Sequence, residues 1–270
     1  MSNQITINID NQGRRYLVNL PQDTLIQIGD NLIVERDNTK EFATCISLDT
    51  NSIRVGEDYN FIRLATQEDK IKHDEILSKA KANKQKVKQK INEYNLQMKL
   101  ISVNTSFDGS KVLVIYTAEE RVDFRTLVRD LASIFRCRIE MRQIAEREAT
   151  AIIGGVGTCG QEFCCSKRIR ATSEVGIKMA KVQGLALNPT KINGTCGKLL
   201  CCLNYEYEDY KLIQEAMPKL GENISTPDGV GLVVFHDLFN EQVAVKFKNE
   251  DNEIINKYSL EELGIDKNDR

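Results

Sequence analysis

"KLISVNTSFDGSKVLVIYTA", residues 99–118, sets the fold class. Two runs of alternating apolar and polar residues flank Asp108-Gly109, a pair that tolerates positive φ, so the stretch predicts a β-hairpin. Downstream, "DFRTLVRDLASIFRC" (123–137) places Phe124, Leu127, Val128, Leu131, Ile134 and Phe135 on one helical side, and "RIEMRQI" (138–144) closes as a strand. Upstream, residues 67–99 follow a helical period, with Ile71, Ile76, Leu77, Ala80, Val87, Ile91 and Leu96 as a narrow apolar stripe. Thr66 with Asp69 supplies a capping signal at its start. The order helix–strand–strand–helix–strand predicts a compact α+β unit, with helices packed on one face of its sheet.

Both ends of the chain read as β. "QITINI", "RYLVNL", "NLIVER" and "EFATCISL" are short strands separated by the turn texts "DNQG", "QIGD" and "RDNTK", which fits a small barrel or curled sheet. From about Gly221, strand-like runs broken by "PDG", "FNE" and "KNED" predict a small barrel or a meander, and "YSLEELG" adds a closing helical turn. The chain therefore divides into a β-rich N-terminal module (1–65), an α+β domain (66–148), a Cys-rich metal- or cluster-binding helical segment (149–218) and a small C-terminal β-barrel-like module (219–270).

The totals narrow the function. With 270 residues, 41% hydrophobic and 28% charged, the composition is that of a folded globular protein. A net charge of −2 gives no global electrostatic case for nucleic acid. Charge is uneven, however: the long helix carries Lys79, Lys81, Lys84, Lys86, Lys88 and Lys90, either a solvated face or a surface for an acidic partner or RNA. Trp is absent, which argues against an aromatic-cage site. No apolar run approaches the roughly 20 residues that span a bilayer. "MSNQITINID" lacks the basic-then-apolar layout of a signal peptide, so the expected location is the cytoplasm, with any membrane contact made through a partner. No Ser-His-Asp set or carboxylate pair suggests itself, and the expectation is a non-enzymatic chain.

Cysteine carries the one specific signal. "VGTCGQEFCC" (156–165) returns as "NGTCGKLLCC" (193–202), so G-T-C-G-x-x-x-C-C occurs twice, 37 residues apart. Six of the eight cysteines lie in these copies: Cys159, Cys164, Cys165, Cys196, Cys201 and Cys202. Cys45 and Cys137 sit in apolar text and read as small core residues. On a continuous helix, positions five apart diverge by about 140°. The glycine after each lone cysteine therefore predicts a tight loop, and each cysteine pair falls on the helical turn that follows. "GVGTCGQ" (155–161) imitates phosphate-loop glycine spacing but has Gln161 in place of the lysine, so no nucleotide site is expected. "IKMAKVQGLALNPTKINGTCG" (177–197) reads as a helix ending at Gly184 and a turn at Asn188-Pro189, an arm that would bring the two copies together.

Four chemistries compete for the thiols. Disulfides are disfavoured in a reducing compartment. Structural zinc prefers C-x2-C knuckles or histidines, and His73 and His236 are distant in sequence, leaving only an all-thiolate zinc site. A redox-active or catalytic thiol would draw on the basic neighbours Lys167, Arg168 and Lys198. An iron–sulfur cluster, held by cysteines alone, fits best. Six thiols exceed the four that one cluster needs, so either two remain free or ligands are shared between protein copies or partners. The readings that follow are an iron–sulfur adaptor, an RNA-binding module with a structural zinc site, and a thiol enzyme.

"GTCGQEFCCSKRI", "VGIKMAKVQGLALNPTKINGTCGKLLCCLNYE" and "MPKLGE" (217–222) closely resemble the YaaT/RicT family, whose α+β part is a PSP-type conserved domain. The resemblance runs from about Arg63 to Glu262 and is densest at 150–206. It implies a non-enzymatic regulator of mRNA processing that works with RicA- and RicF-like small helical proteins and the endoribonuclease RNase Y, influencing competence, biofilm and sporulation decisions. It also implies a 4Fe–4S cluster on the positions matching Cys159, Cys164, Cys165, Cys196 and Cys201, with Cys202 completing the second copy.

Overall fold

The computed structural model describes residues 4–10, 12, 15–21, 24–48, 59–167, 174–248 and 253–265. The chain forms two compact units, Met1–Thr172 and Ser173–Arg270. The class is α+β, as the hairpin and its flanking helices require.

The first unit opens with β1 (Gln4–Asn8), β2 (Arg15–Asn19), β3 (Asn31–Arg36), β4 (Thr39–Ser47) and β5 (Tyr59–Leu64). They close into a barrel in the order β1-β2-β5-β3-β4, with β4 pairing back onto β1. Closure removes the free strand edges that would otherwise template aggregation. Asp37 and Asn38 both have positive φ (50° and 58°), so the two-residue turn between β3 and β4 has the primed geometry that matches strand twist. Ile5, Ile7, Tyr16, Val18, Leu32, Val34, Cys45 and Tyr59 fill the interior. β5 pairs parallel to β2 through Val18 and Tyr59, a long-range closure that no local turn signal announces.

α1 (Gln67–Glu93) begins with the expected capping box between Thr66 and Asp69. It leads into β6 (Lys99–Thr105), β7 (Lys111–Thr117), α2 (Arg125–Phe135), β8 (Arg138–Gln143) and α3 (Glu146–Ile153). β6 and β7 are the predicted antiparallel hairpin, with Gly109 at φ 75°, and β8 joins β7 in parallel. Val103, Val112 and Val114 face α1 and α2, where Val87, Ile91, Leu127 and Leu131 are buried. Ile101, Leu113 and Ile115 face the opposite way, against Ile144 and Ala149. Helices therefore cover both faces rather than the one expected, and β7, in the middle, is buried along nearly its whole length. The α1 stripe also needs correcting. Only Val87 and Ile91 among its apolar residues are fully buried, while Ile71 and Leu77 remain 55% and 37% exposed. Nearer its start, α1 meets the barrel through Ile76, beside Ile33, Phe42 and Phe107.

α4 (Cys164–Lys167) ends the described part of this unit. The second unit contains α5 (Ile177–Val182), α6 (Pro189–Ile192), α7 (Cys202–Tyr205), α8 (Tyr207–Ala216), β9 (Asn223–Thr226), β10 (Gly229–Asp237), β11 (Gln242–Lys248) and β12 (Glu253–Ser259). The four strands form the antiparallel meander anticipated as one of two arrangements. Val233, Val243, Val245 and Tyr258 pack beneath it with Met217 and Leu260, joined by Tyr210 and Ile213 of α8. Among the described residues, no helix is long and apolar enough to cross a membrane.

Candidate functional site: a duplicated thiol turn

The two cysteine texts fold alike. In the first, the Gly157 N–H donates to Gln161 O (2.8 Å), Gly160 N–H to Gly157 O (3.0 Å) and Phe163 N–H to Gly155 O (3.0 Å). In the second, Gly194 N–H donates to Lys198 O (2.8 Å), Gly197 N–H to Gly194 O (2.9 Å) and Leu200 N–H to Ile192 O (2.9 Å). Each bond recurs 37 positions on, as do the bridges Val156–Glu162 and Asn193–Leu199. Both copies are minimal hairpins with G-T-C-G at the tip. Gly160 and Gly197 take φ of 77° and 73°, a region that a β-carbon disfavours. This is why the glycine after each lone cysteine is required.

The thiols follow that backbone. Cys159 and Cys196 occupy the hairpin tips, where their sulfurs lie beside Gly157 and Gly194: a β-carbon there would sit 3.5 and 3.9 Å from Sγ. Cys196 Sγ also donates to Lys198 O at 4.0 Å. Cys164 and Cys165 start α4, and Cys201 and Cys202 sit at the N-terminus of α7, so each pair lies on a helical turn as expected. Cys159 is exposed, and the other five are half-buried. All eight cysteines are thiols. Cys45 and Cys137 stand apart in apolar packing, and burial pushes both thiols up.

Different scaffolds hold the two turns. In the first unit, the Phe163 ring lies directly over Gly155, where a β-carbon would come within 2.7 Å of it. Ser166 Oγ donates to Ala151 O (3.1 Å), tying α4 to α3, a helix that the sequence reading did not anticipate. In the second unit, Ala180, Ile192 and Leu203 form a small buried core, flanked by Met179, Leu199 and Leu200. Gln183 Nε2 donates to Leu203 O (2.7 Å), and the Asn188 side chain caps α6 at Thr190 N (3.0 Å), with Pro189 at its first position. The 177–192 arm is thus the second turn's own support. Of the basic neighbours named above, Lys198 is exposed, while Arg168 and the Lys167 side chain lie outside the described residues.

All six donors are soft thiols, which suits an iron–sulfur cluster or all-thiolate zinc in kind. Among the described residues, however, no three His, Cys, Asp or Glu side chains gather into a metal-sized group. One copy by itself does not supply a complete ligand set.

Residues 59–144 match the family model described as PSP1 C-terminal conserved region, which spans β5 to the end of the three-stranded sheet. Residues 174–217 match the model described as PSP1-like protein, third domain, which holds the second thiol turn. Over 202 residues the sequence is 43% identical to "Stage 0 sporulation protein YaaT" of Bacillus subtilis (strain 168), covering 75% of this chain and 73% of that protein. No solved structure matches.

Proposed function

The chain belongs to the YaaT/PSP1 family, and from that membership we propose that it is a non-enzymatic cytoplasmic regulator, an adaptor that acts on mRNA processing with RicA- and RicF-like helical partners and RNase Y. The observation that carries this reading is the duplicated turn. Two copies of one hydrogen-bond pattern each present one thiol at a hairpin tip and two on the next helical turn. Such a repeated investment in glycine and cysteine fits ligand presentation better than packing, because five of the six thiols are only half-buried and Cys159 is exposed.

Cys159, Cys164, Cys165, Cys196, Cys201 and Cys202 are the residues that would hold a 4Fe–4S cluster. Since no three of them form a metal-sized group among the described residues, the ligand set would be completed by thiols of a second protein molecule or of a partner. When bound, such a cluster makes assembly sensitive to iron supply and oxidants. The chain's own contribution is to hold the thiols at fixed, solvent-accessible turns.

Purification without oxygen from the native host tests both halves. Brown protein with iron and sulfide in stoichiometric amounts, co-purifying with RNase Y, is the expected result. Colourless protein holding zinc would remove the cluster and favour a structural metal. Loss of iron but not of partners in Cys159→Ser or Cys196→Ser would separate ligation from docking.

A further inference from the structure

Between Glu75 and Glu93 the chain carries six lysines and no Asp or Glu. Val87 and Ile91 turn the inner side of this stretch of α1 onto the sheet. Lys84 is tied to Ile101 O (2.5 Å) and Lys90 to Glu93 (2.6 Å). Lys79, Lys81, Lys86 and Lys88 are exposed, and none of them meets a carboxylate among the described residues. At about 100° per residue, Lys79 and Lys86 lie on one flank of the helix and Lys81 and Lys88 on the other, with exposed Ala82, Gln85 and Gln89 as the ridge between them; the four span a rise of about 14 Å. α2 packs beside α1 on the same sheet face, with Arg129 exposed and Arg125 paired with Asp123 at 3.5 Å.

What lies between the lysines identifies the occupant. The other exposed residues from 79 to 89 are Ala82, Gln85 and Gln89, with no large apolar side chain among them. A protein interface needs a desolvated apolar or aromatic centre. A nucleic-acid interface is polar, wet and positively charged. Lysine ammoniums act as point charges and lack the planar fork that reads a base edge. We propose that the two lysine flanks of α1, Lys79 with Lys86 and Lys81 with Lys88, hold the phosphodiester backbone of RNA along the neutral ridge between them without reading its sequence. The choice of RNA over DNA rests on the function proposed above; the phosphate contact does not.

The test is fluorescence anisotropy of a labelled 20-nucleotide single-stranded RNA with the full chain. Four phosphate contacts predict affinity about 50-fold weaker at 200 mM than at 50 mM salt, from a slope of about −0.7 per contact on a single strand. The quadruple variant K79Q/K81Q/K86Q/K88Q is expected to lose at least about tenfold at 50 mM and to flatten that slope. A matched variant, K178Q/K181Q/K191Q/K219Q, removes the same charge from exposed positions of the second unit and is expected to bind like the parent. Single-stranded DNA of the same sequence is expected to bind equally. Equal loss in both variants, a flat salt response, or strong preference for one base sequence would each overturn the proposal. So would binding to polyglutamate with none to either nucleic acid, which would make the partner an acidic protein. Iron content and RNase Y capture are read separately, so failure here leaves the thiol reading standing.

Discussion

Glu41 on β4 and Lys111 on β7 face each other at 3.6 Å where the barrel meets the three-stranded sheet, with side chains only 6% and 12% exposed. Burial pushes the Glu41 carboxyl up to about 7, against the pull of the Lys111 ammonium, and Asp108 and Glu140 add to the push. Because the folded value lies above the unfolded one of about 4.5, the folded chain holds the extra proton between them. Stability from this group is full below about pH 4.5 and is lost as pH rises through about 7. Glu41→Gln, which cannot ionise, should remove that decline. Urea unfolding at pH 5 and pH 8 should show the parent losing about 3 kcal/mol more than the variant. Parallel pH profiles would mean the site is not desolvated.

At the start of α1 the sign reverses. The Arg63 guanidinium hydrogen-bonds Asp69 and holds its carboxyl well below the usual carboxylate range, helped by the backbone N–H and hydroxyl of Thr66. A depressed carboxylate stabilises above its unfolded value and loses that contribution as the solution is acidified below it. Thr66→Ala should cost about 1 kcal/mol at neutral pH by opening the capping box. Faster amide exchange confined to the first turn of α1 is the expected signature.

Local patterns were legible where a turn or a cap wrote them. Asp108-Gly109, Thr66 with Asp69, and Asn188-Pro189 each predicted a boundary that the structure has, because each satisfies its own backbone. The thiol turns were legible for the same reason: a glycine must follow a cysteine that sits at a hairpin tip. Non-local matters were not. β5 closes the barrel through a parallel pairing to β2, and the charged and polar residues in "YNFIRL" mask its strand character. The stripe on α1 is narrower than the apolar residues suggest, because at about 100° per residue Ile71 and Leu77 lie about 160° and 80° from Val87, off the face that Ile76, Ala80, Val87 and Ile91 share. Ile71 and Leu77 share the helix with Val87 and stay exposed. α3 was overlooked because it is short and ends at Gly154-Gly155, which reads as loop.

The second thiol pair depends on one side chain. Leu203, 2% exposed, directly follows Cys201-Cys202 and closes the small core with Ala180 and Ile192. Leu203→Ala should cost about 2–5 kcal/mol in the second unit, while Leu203→Met should cost less than about 1.5. Alkylation followed by mass spectrometry should find Cys201 and Cys202 faster in the alanine variant. Cys164 and Cys165, in the first unit, should react as before.

Gly160 and Gly197 allow the duplication itself to be tested. Their φ values are 77° and 73°, and a β-carbon at either would meet nothing within 4 Å. Replacement by alanine therefore introduces backbone strain without a clash, about 1 kcal/mol at each position. Asparagine, whose short polar side chain tolerates the left-handed region, should cost less at both. If the turns are equivalent, Gly160→Ala should raise the alkylation rate of Cys159 by the same factor that Gly197→Ala raises that of Cys196, and asparagine should restore each. A large effect at one glycine and none at the other would mean that the shared hydrogen bonds do not set the position of both thiols, and that the surrounding cores, which differ between the copies, hold them instead.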